Sequence, residues 1–216
     1  MEVSIDGRPG SAPRMGAARS KAVVAVVGAA WTAAVTLGFV TLFKYANTPG
    51  SATAAPRRWP HPPDLALDAE HHTLLLFAHP RCPCTRATIA ELDRVMAASA
   101  GRLAVTVLFY TDDAFGTGWE RSQLWEHAAR IPGVRVERDP GGALAASFAA
   151  RTSGAVVVYS PDGRLRFCGG ITASRGHEGD NAGSDAILSL ANGRDPVTET
   201  TPVYGCGLVG RSTAGT

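Results

Sequence analysis

The sequence predicts an α/β domain with a central sheet flanked by helices, preceded by one N-terminal transmembrane helix. Short apolar runs of strand length alternate with stretches of helical periodicity in the order strand, helix, strand, helix, strand, helix, hairpin, helix. Such alternation is typical of a sheet covered by helices on both faces. Ahead of this pattern, residues 22–43 contain no charged side chain, which predicts a membrane span.

Composition narrows the classes of function. The chain has 216 residues, 45% of them hydrophobic and 19% charged, and this suits one ordinary domain with additional segments. Its formal net charge is only +2 and no basic stripe dominates any segment, so no nucleic-acid partner is expected. Four cysteines are too few for a disulfide scaffold, and two of them are separated by a single residue, which suggests that they act together.

The uncharged run over residues 22–43 is long enough to cross a bilayer. As a helix it would measure about 33 Å, against a hydrocarbon core of about 30 Å. Four basic residues precede the run, namely Arg8, Arg14, Arg19 and Lys21. The positive-inside rule therefore predicts a cytoplasmic tail over residues 1–21, with the following domain in the periplasm or outside the cell. A cleaved signal peptide is the alternative, although its best small-residue site, Ala52–Ala54, lies far downstream.

Two segments without apolar periodicity flank the predicted domain at 70–195. Residues 44–69 are rich in Pro, Ala, Ser and Thr, which predicts a semi-extended linker that holds the domain away from the bilayer. Residues 196–216 predict a flexible C-terminal tail. The protein is thus expected to be a single-pass protein of the inner membrane.

The elements of the domain follow from their patterns. Nearly continuous apolar runs predict buried strands, and spacings of three and four predict amphipathic helices. Asp162-Gly163 between two apolar runs predicts a hairpin turn. The predicted strands are His72–Ala78, Leu103–Tyr110, Val134–Glu137, Ala155–Ser160 and Arg164–Cys168. The predicted helices are 85–100, Trp119–Ile131, Ala143–Ala150 and Asp185–Ala191.

Cys82-Pro83-Cys84 lies where the first strand passes into the first helix of the domain. A helix N-terminus lowers a thiol pKa, and Pro83 suits the first helical position because its missing N–H costs nothing there. Arg81 and Arg86 add positive charge on either side. Cα atoms two residues apart can meet the roughly 4.4–6.8 Å that a disulfide requires, and strain in so small a ring makes the bond easier to reduce.

The stretches FAHPRCPCTRATIAEL (77–92) and GVRVERDPGGALAASFAARTSGAVVVYSPDGRLRFCGGIT (133–172) resemble the thioredoxin superfamily, in its extracytoplasmic branch. The resemblance covers about residues 70–195. With its anchor and its TPVYGC ending (201–206), the whole chain is similar to a group of membrane proteins labelled RedB. The resemblance implies a thioredoxin-like sandwich that exchanges thiols and disulfides with other proteins and needs no bound cofactor.

Two positions depart from the family pattern of Cys-x-x-Cys followed by a distant cis-proline. Aligned on that pattern, Cys82 takes the place of the attacking cysteine and Thr85 that of the second cysteine, so Cys84 lies one residue early. Gly154 stands where the cis-proline belongs. The hypothesis is that Cys82 attacks a partner's sulfur and Cys84 resolves the mixed disulfide.

Accessory roles are open at other positions. His79 either tunes the thiol or is a plain loop residue. Cys206 either swings to Cys82 as a distal resolving thiol or is a tail cysteine with a static bond or none. Cys168 falls in a predicted strand and is interpreted as a small buried core residue.

A copper-binding protein on the same scaffold is the alternative function. Some thioredoxin-fold proteins bind copper through two cysteines of this loop and a distant histidine, which would here be Cys82, Cys84 and His177, and soft thiolates prefer Cu(I). The loop GHEGDNAG (176–183) that carries His177 would otherwise cap the next helix. A non-catalytic redox sensor or assembly subunit is a third class.

Overall fold

The computed structural model describes residues 15–208, with side chains from residue 20 onward. Most of the predicted cytoplasmic tail, including Arg8 and Arg14, lies outside these residues, as does the end of the predicted C-terminal tail. Helix α1, Met15–Asn47, contains the predicted span, and its stretch Ser20–Asn47 has a mean hydropathy of 2.1. By length and composition this helix can cross a membrane.

The compact unit that begins at Tyr45 contains the α/β domain. Its strands are β1 His72–Ala78, β2 Leu103–Thr111, β3 Val134–Pro140, β4 Ala155–Tyr159 and β5 Leu165–Gly169. Its helices are α2 Thr85–Ser99, α3 Gln123–Arg130, α4 Ala143–Ser147 and α5 Ala182–Ala191. The order of strands and helices agrees with the sequence prediction.

The five strands form one sheet in the order β3-β2-β1-β4-β5. β1 pairs in parallel with β2, and β2 with β3, whereas β4 is antiparallel to both β1 and β5. The predicted α/β class, with a central sheet flanked by helices, is confirmed. β1 lies at the centre, so its carboxyl end delivers the following loop to the middle of one edge of the sheet.

Alternation along β1 divides the core in two, because successive strand side chains point to opposite faces. Leu74 and Leu76 pack with apolar residues of α2, α3 and α5 on one face. Leu75 and Phe77 pack on the other face with α4 and with residues outside the helices, including Trp59 and Val203. All four β1 side chains are fully buried, which accounts for the unbroken apolar run in the sequence.

Three helix boundaries differ from the prediction. α3 begins at Gln123, because Ser122 caps it by accepting a hydrogen bond from the Trp125 N–H at 3.5 Å, and residues 119–122 form turns ahead of it. α4 ends at Ser147, two residues before Ala149 adopts a positive φ of 52°. α5 begins at Ala182, one turn earlier than expected.

The Pro-rich segment has no helix or strand between Asn47 and His72, and part of it packs on the domain. Trp59 is 4% exposed, and its ring centroid lies 5.1 Å from that of Phe148 and 5.2 Å from that of Tyr159. The Tyr159 hydroxyl donates to the Pro56 carbonyl at 2.8 Å. The expected spacer is therefore corrected: this segment covers one face of the sheet, because its aromatic and carbonyl groups find partners there.

The described part of the C-terminal segment also packs on the domain, contrary to the expected flexible tail. The Cys168 N–H donates to the Glu199 carbonyl at 2.9 Å, so the segment runs along β5. Val203 and Leu208 are 3% and 1% exposed in the second core. Burial of these two side chains holds residues 199–208 against the domain.

Candidate thiol site

Cys82 and Cys84 lie in a turn between β1 and α2. The Cys82 N–H donates to the His79 carbonyl at 3.1 Å, and the Thr85 N–H donates to the Cys82 carbonyl at 3.2 Å. Helix α2 begins at Thr85 with Cys84 as its capping residue. Pro83 was predicted to take the first helical position, and this is wrong by two residues, because the hydrogen bonds of Cys82 form a separate turn first.

A third thiol completes the site. Cys82, Cys84 and Cys206 are free, and their three Sγ atoms all lie within 4.8 Å of one another. Cys82 is 1% and Cys84 6% exposed, while Cys206 is partly exposed. Cys206 is thus not on a tail that must swing toward Cys82; it is already in place.

The segment around Cys206 is fixed by backbone pairing with the loop before β4. The Ser153 N–H donates to the Cys206 carbonyl at 2.8 Å, and the Leu208 N–H donates to the Arg151 carbonyl at 3.0 Å. A Cβ on Gly205 would overlap the Ser153 carbonyl oxygen and lie 3.0 Å from the carbonyl carbon. Only glycine allows this approach, and it brings the next residue, Cys206, to the other two thiols.

Two hydroxyl groups, of Ser153 and Thr85, form a hydrogen-bonded chain that ends at the Cys82 sulfur. The His79 N–H donates to Ser153 Oγ at 2.7 Å, and the Ser153 and Thr85 hydroxyl oxygens are 2.7 Å apart. The Thr85 side chain in turn hydrogen-bonds to the sulfur of Cys82. Because Ser153 Oγ already accepts from His79, its own hydrogen can be donated to Thr85, which leaves the Thr85 hydrogen for the thiolate.

The three thiols have different pKa values. Burial raises the pKa of the Cys82 thiol, but hydrogen bonds from the Thr85 side chain and from the backbone and thiol of Cys206 outweigh it and lower this pKa overall. Burial and the nearby Cys82 charge raise the pKa of Cys84. Burial, together with the hydrogen bond to Cys82, raises the pKa of Cys206 to about 12. Cys82 is therefore the thiol of the cluster that ionises most readily.

The Arg175 side chain contacts the thiol cluster and two other segments, at Tyr45 and at Gly205. Its guanidinium hydrogen-bonds to Cys84, which opposes the rise of the Cys84 pKa. Its Nη1 also donates to the Gly205 carbonyl at 2.6 Å, and its Nε donates to the Tyr45 carbonyl at 3.1 Å. Arg175 was not predicted from the sequence, because nothing in the local pattern of the loop after β5 distinguishes it.

Arg81, one of the two charges predicted to flank the motif, makes an aromatic contact. The Arg81 guanidinium lies 5.5 Å from the Trp119 ring centroid, an aromatic contact, while hydrogen bonds from Thr85 and Cys206 lower the Cys82 pKa. The His79 ring stacks on Tyr110 at 5.8 Å, and its pKa is lowered by burial and then by Arg81, so its imidazole is neutral at pH 7. His79 contributes to the site through its backbone N–H.

An open groove of about 330 Å³ gives access to Cys82. One side is formed by residues of the turn and the first turn of α2, and the other by the start of α3. The lining residues are Pro80, Arg81, Cys82, Pro83, Arg86, Ser122, Gln123 and Leu124. Arg81 and Arg86 make this groove basic.

Gly154 lies opposite the thiol turn with a φ of +92°, and the peptide bonds that the structure describes include no cis bond. Its N–H donates to the Phe77 carbonyl at 2.8 Å. A proline at this position would lose that hydrogen bond and could not reach this φ. The glycine is thus required by the backbone, and its partner Phe77 lies at the end of β1.

His177 does not join the thiols. It is exposed on the loop before α5, and the metal-ligand group among residues 20–208 consists of the three cysteines. The Gly179 N–H donates to the buried Glu91 carboxylate at 2.6 Å, and Asn181 Oδ1 accepts from the Ser184 N–H at 2.8 Å. The loop caps α5, and the third thiol beside Cys82 and Cys84 is Cys206, which lies outside this loop.

Ser153, Arg175 and Gly205 are the site residues that sequence reasoning missed. Gly205 had one signal, since it precedes Cys206 in the TPVYGC ending, but its close approach to Ser153 depends on the fold. Ser153 had the weak signal of adjoining Gly154. Cys168 lies apart in β5, buried, with its thiol donating to the Thr53 carbonyl at 3.3 Å.

Comparison with solved structures supports the fold. A hypothetical protein of Sinorhizobium meliloti aligns with a TM-score of 0.56 and 21% identity over 78% of this chain and 96% of that chain. An uncharacterized conserved protein of Geobacillus kaustophilus aligns with a TM-score of 0.56 and 15% identity over 78% and 95%. A secreted Mycobacterium tuberculosis disulfide oxidoreductase aligns more loosely, with a TM-score of 0.40 and 16% identity over 57% and 82%.

No protein-family model matches the sequence, and no curated protein matches it either. The two likenesses at a TM-score of 0.56 fall below 25% identity and concern the fold alone. The thioredoxin-like superfamily predicted from the sequence agrees with this fold, and the similarity to the RedB-labelled group stays a prediction.

Proposed function

We propose that this protein is a membrane-anchored thiol–disulfide oxidoreductase that acts on protein thiols outside the cytoplasm through Cys82 and Cys84. One observation carries the proposal: Cys82, whose thiol pKa is lowered, lines an open groove and has a second thiol in the same turn. The thiolate is the attacking species in exchange, and a lowered pKa makes it available at neutral pH.

The first step is attack of the Cys82 thiolate on a partner disulfide. A Cys82–partner disulfide forms, the partner's S–S bond breaks, and one partner sulfur leaves as a thiolate. The hydrogen bonds from Thr85 and Cys206 stabilise Cys82 before attack and again when it is released. Cys82 is therefore also the better leaving group of the site.

The second step is resolution by Cys84. Its sulfur attacks the Cys82 sulfur of the mixed disulfide, forming the Cys82–Cys84 bond and releasing the second partner thiol. The proton of Cys84 passes to one released thiolate and the solvent supplies a proton to the other, so that the partner gains two electrons and two protons. The Arg175 guanidinium beside Cys84 favours its thiolate form during this step. Cys206, within 4.8 Å of both, is a second resolving thiol in the same proposal.

The basic groove suits an extended, uncharged or acidic segment of a partner protein. Its volume of about 330 Å³ matches a few side chains, and Arg81 and Arg86 line it. Charged groups of opposite sign in such a groove increase the rate of encounter. The partner is a protein thiol or disulfide, and no cofactor is required for the exchange itself.

The membrane anchor is helix α1, with the domain on the extracytoplasmic side. Arg8, Arg14, Arg19 and Lys21 ahead of the apolar stretch support this orientation. Two measurements test this orientation. In untreated cells the full-length chain should be found in the membrane fraction, and protease added to spheroplasts should digest the domain from outside. Recovery of a shortened soluble chain would instead identify α1 as a cleaved signal sequence.

Exchange activity is tested by reduction of insulin disulfides and by oxidative refolding of a reduced substrate. Cys82→Ser should abolish both activities, and the double variant with Cys84→Ser and Cys206→Ser should trap a mixed disulfide with the substrate. Cys168→Ser is the matched control, since this thiol is buried in β5 away from the cluster. Mass spectrometry after alkylation should show a Cys82–Cys84 bond in oxidised protein.

If Cys82→Ser keeps full activity, or if Cys82 never forms a bond under oxidant, the proposal fails. A site that cycles between thiol and disulfide without turnover of either substrate would identify a redox sensor.

A further inference from the structure

We propose that Cys82, Cys84 and Cys206 together form a three-thiolate site for a soft monovalent metal ion, Cu(I), which the reduced protein binds. This role goes beyond disulfide exchange, because exchange needs only two of the three sulfurs.

The spacing of the sulfurs suits a single ion. Three sulfurs bound to one metal at about 2.3 Å stand roughly 4 Å from one another in a trigonal arrangement. The three Sγ atoms all lie within 4.8 Å of one another with no ion present. Shifts of the Sγ atoms by less than about 1 Å, through side-chain rotation, would bring them to metal-binding distance. The backbone fold needs no rearrangement.

The third sulfur is held by contacts that have no role in a two-cysteine turn. Gly205 packs against the Ser153 carbonyl where any side chain would overlap it, and the Ser153 N–H fixes the Cys206 carbonyl at 2.8 Å. Arg175 Nη1 holds the Gly205 carbonyl at 2.6 Å. These contacts place Cys206 at the cluster in the folded protein, which is the preorganisation that a ligand requires.

The donor set selects the metal. Among residues 20–208, no histidine or carboxylate joins the three thiols, whereas structural zinc sites almost always have four ligands. Soft thiolates prefer Cu(I) among the common ions. Burial of Cys82 and Cys84, at 1% and 6% exposed, limits access of water to the bound ion.

Charge is balanced locally. One Cu(I) ion with three thiolates carries a net charge of −2, and the Arg175 guanidinium contacts Cys84 and lies close enough to Cys206 to act on its charge. Binding displaces the protons that Cys84 and Cys206 carry, and no electron is transferred. A disulfide between Cys82 and Cys84 removes two of the three ligands, so oxidation abolishes the site.

The test is an anaerobic titration of the reduced full-length protein with Cu(I) in competition with a chromophoric chelator. We expect one equivalent to bind, and X-ray absorption to show three sulfur ligands at about 2.3 Å. Cys206→Ser should weaken binding by about 100-fold or more, since loss of a ligand costs at least as much as loss of its supporting contacts. Cys168→Ser and His177→Ala are the controls and should bind as the native protein does.

The proposal is overturned if Cys206→Ser binds Cu(I) as tightly as the native protein, if His177→Ala weakens binding, or if the native protein does not bind. Insulin reduction by the native protein separates the two proposals. Absence of Cu(I) binding in a native protein that reduces insulin disproves the metal site alone, and Cu(I) binding by a native protein that does not reduce insulin disproves the exchange function alone.

Discussion

The hydroxyl oxygens of Thr85 and Ser153 lie 2.7 Å apart, although one residue begins α2 and the other precedes β4. Thr85 is fully buried and occupies the position at which the family pattern has its second cysteine. At this position the Thr85 hydroxyl acts on the Cys82 sulfur as a hydrogen-bond donor, where the pattern has a thiol. Cys84 and Cys206 supply the additional thiols from either side.

Thr85→Val should raise the pKa of the Cys82 thiol, because the buried hydroxyl that stabilises the thiolate is removed. A hydrogen bond to a charged group contributes about 1.5–3 kcal/mol, equivalent to about one to two pKa units. Below the native pKa, the variant should be alkylated about 10- to 100-fold more slowly at Cys82; the difference should shrink between the two pKa values, and above both the rates should converge. The rate of iodoacetamide modification against pH measures this, and Thr85→Ser should restore the native profile. Superimposable profiles for the Val variant and the native protein would disprove the role of this hydroxyl.

Gly205→Ala should displace the segment that carries Cys206, because the added Cβ overlaps the Ser153 carbonyl oxygen. Overpacking of this kind costs about 1–3 kcal/mol. We expect faster alkylation of Cys82 and Cys206, measured by peptide mass spectrometry, and weaker Cu(I) binding. Gly28→Ala is the control, since its Cβ would meet no atom within 4 Å. Native alkylation rates in Gly205→Ala would show that the close approach is not needed to position Cys206.

Gly154→Pro, which introduces the proline of the thioredoxin pattern, should destabilise this protein. It removes the N–H that donates to Phe77, and its φ of about −65° cannot match the observed +92°. A lost buried hydrogen bond costs about 1–3 kcal/mol, and backbone strain adds about as much. Gly154→Asn tolerates positive φ better, so thermal unfolding should rank native above Asn above Pro. A proline variant as stable as the native protein would contradict the argument.

Trp59→Ala should destabilise the domain as strongly as a core substitution, although Trp59 lies in the Pro-rich segment. Its ring is buried against Phe148 and Tyr159, and such truncations cost about 3–5 kcal/mol. Denaturant unfolding of the domain measures the loss. Asp64→Ala, an exposed residue of the same segment, should change stability by less than about 0.5 kcal/mol. Equal stability of the two variants would mean that the segment is a spacer after all.

The predictable part of the fold is the part with a strong local signal. β1 and β2 are buried on both faces, so their apolar runs are unbroken, and Asp162-Gly163 marks its turn. Position after β1 was likewise enough to select Cys82 and Cys84 as the candidate thiols. The helix start at Gln123 was missed because Ser122 competes with Trp119 as a boundary, and only the capping hydrogen bond decides between them.

The unpredictable part depends on contacts between distant segments. Residues 50–67 and 199–208 have no periodicity, since they form neither helix nor strand; their order comes from Trp59, Val203 and Leu208 entering a core built by other residues. For copper, resemblance to thioredoxin-fold copper proteins placed the third ligand at His177, and Cys206 was considered only as a resolving thiol or a tail cysteine. Backbone pairing with Ser153 brings Cys206 to the thiol pair. No sequence pattern near Arg175 indicates that its guanidinium contacts both Cys84 and the Gly205 carbonyl.

Cys206 comes late in the chain, and this has a consequence for biosynthesis. A chain made from its N-terminus presents Cys82, Cys84 and Cys168 before Cys206 has been added. During that interval Cys82 lacks the donors that Cys206 provides, and the nascent domain holds three unpaired sulfurs without the segment 199–208 that later packs on it. Any bond formed in that interval between Cys168 and either Cys82 or Cys84 would have to be reopened before the three-thiol cluster could form.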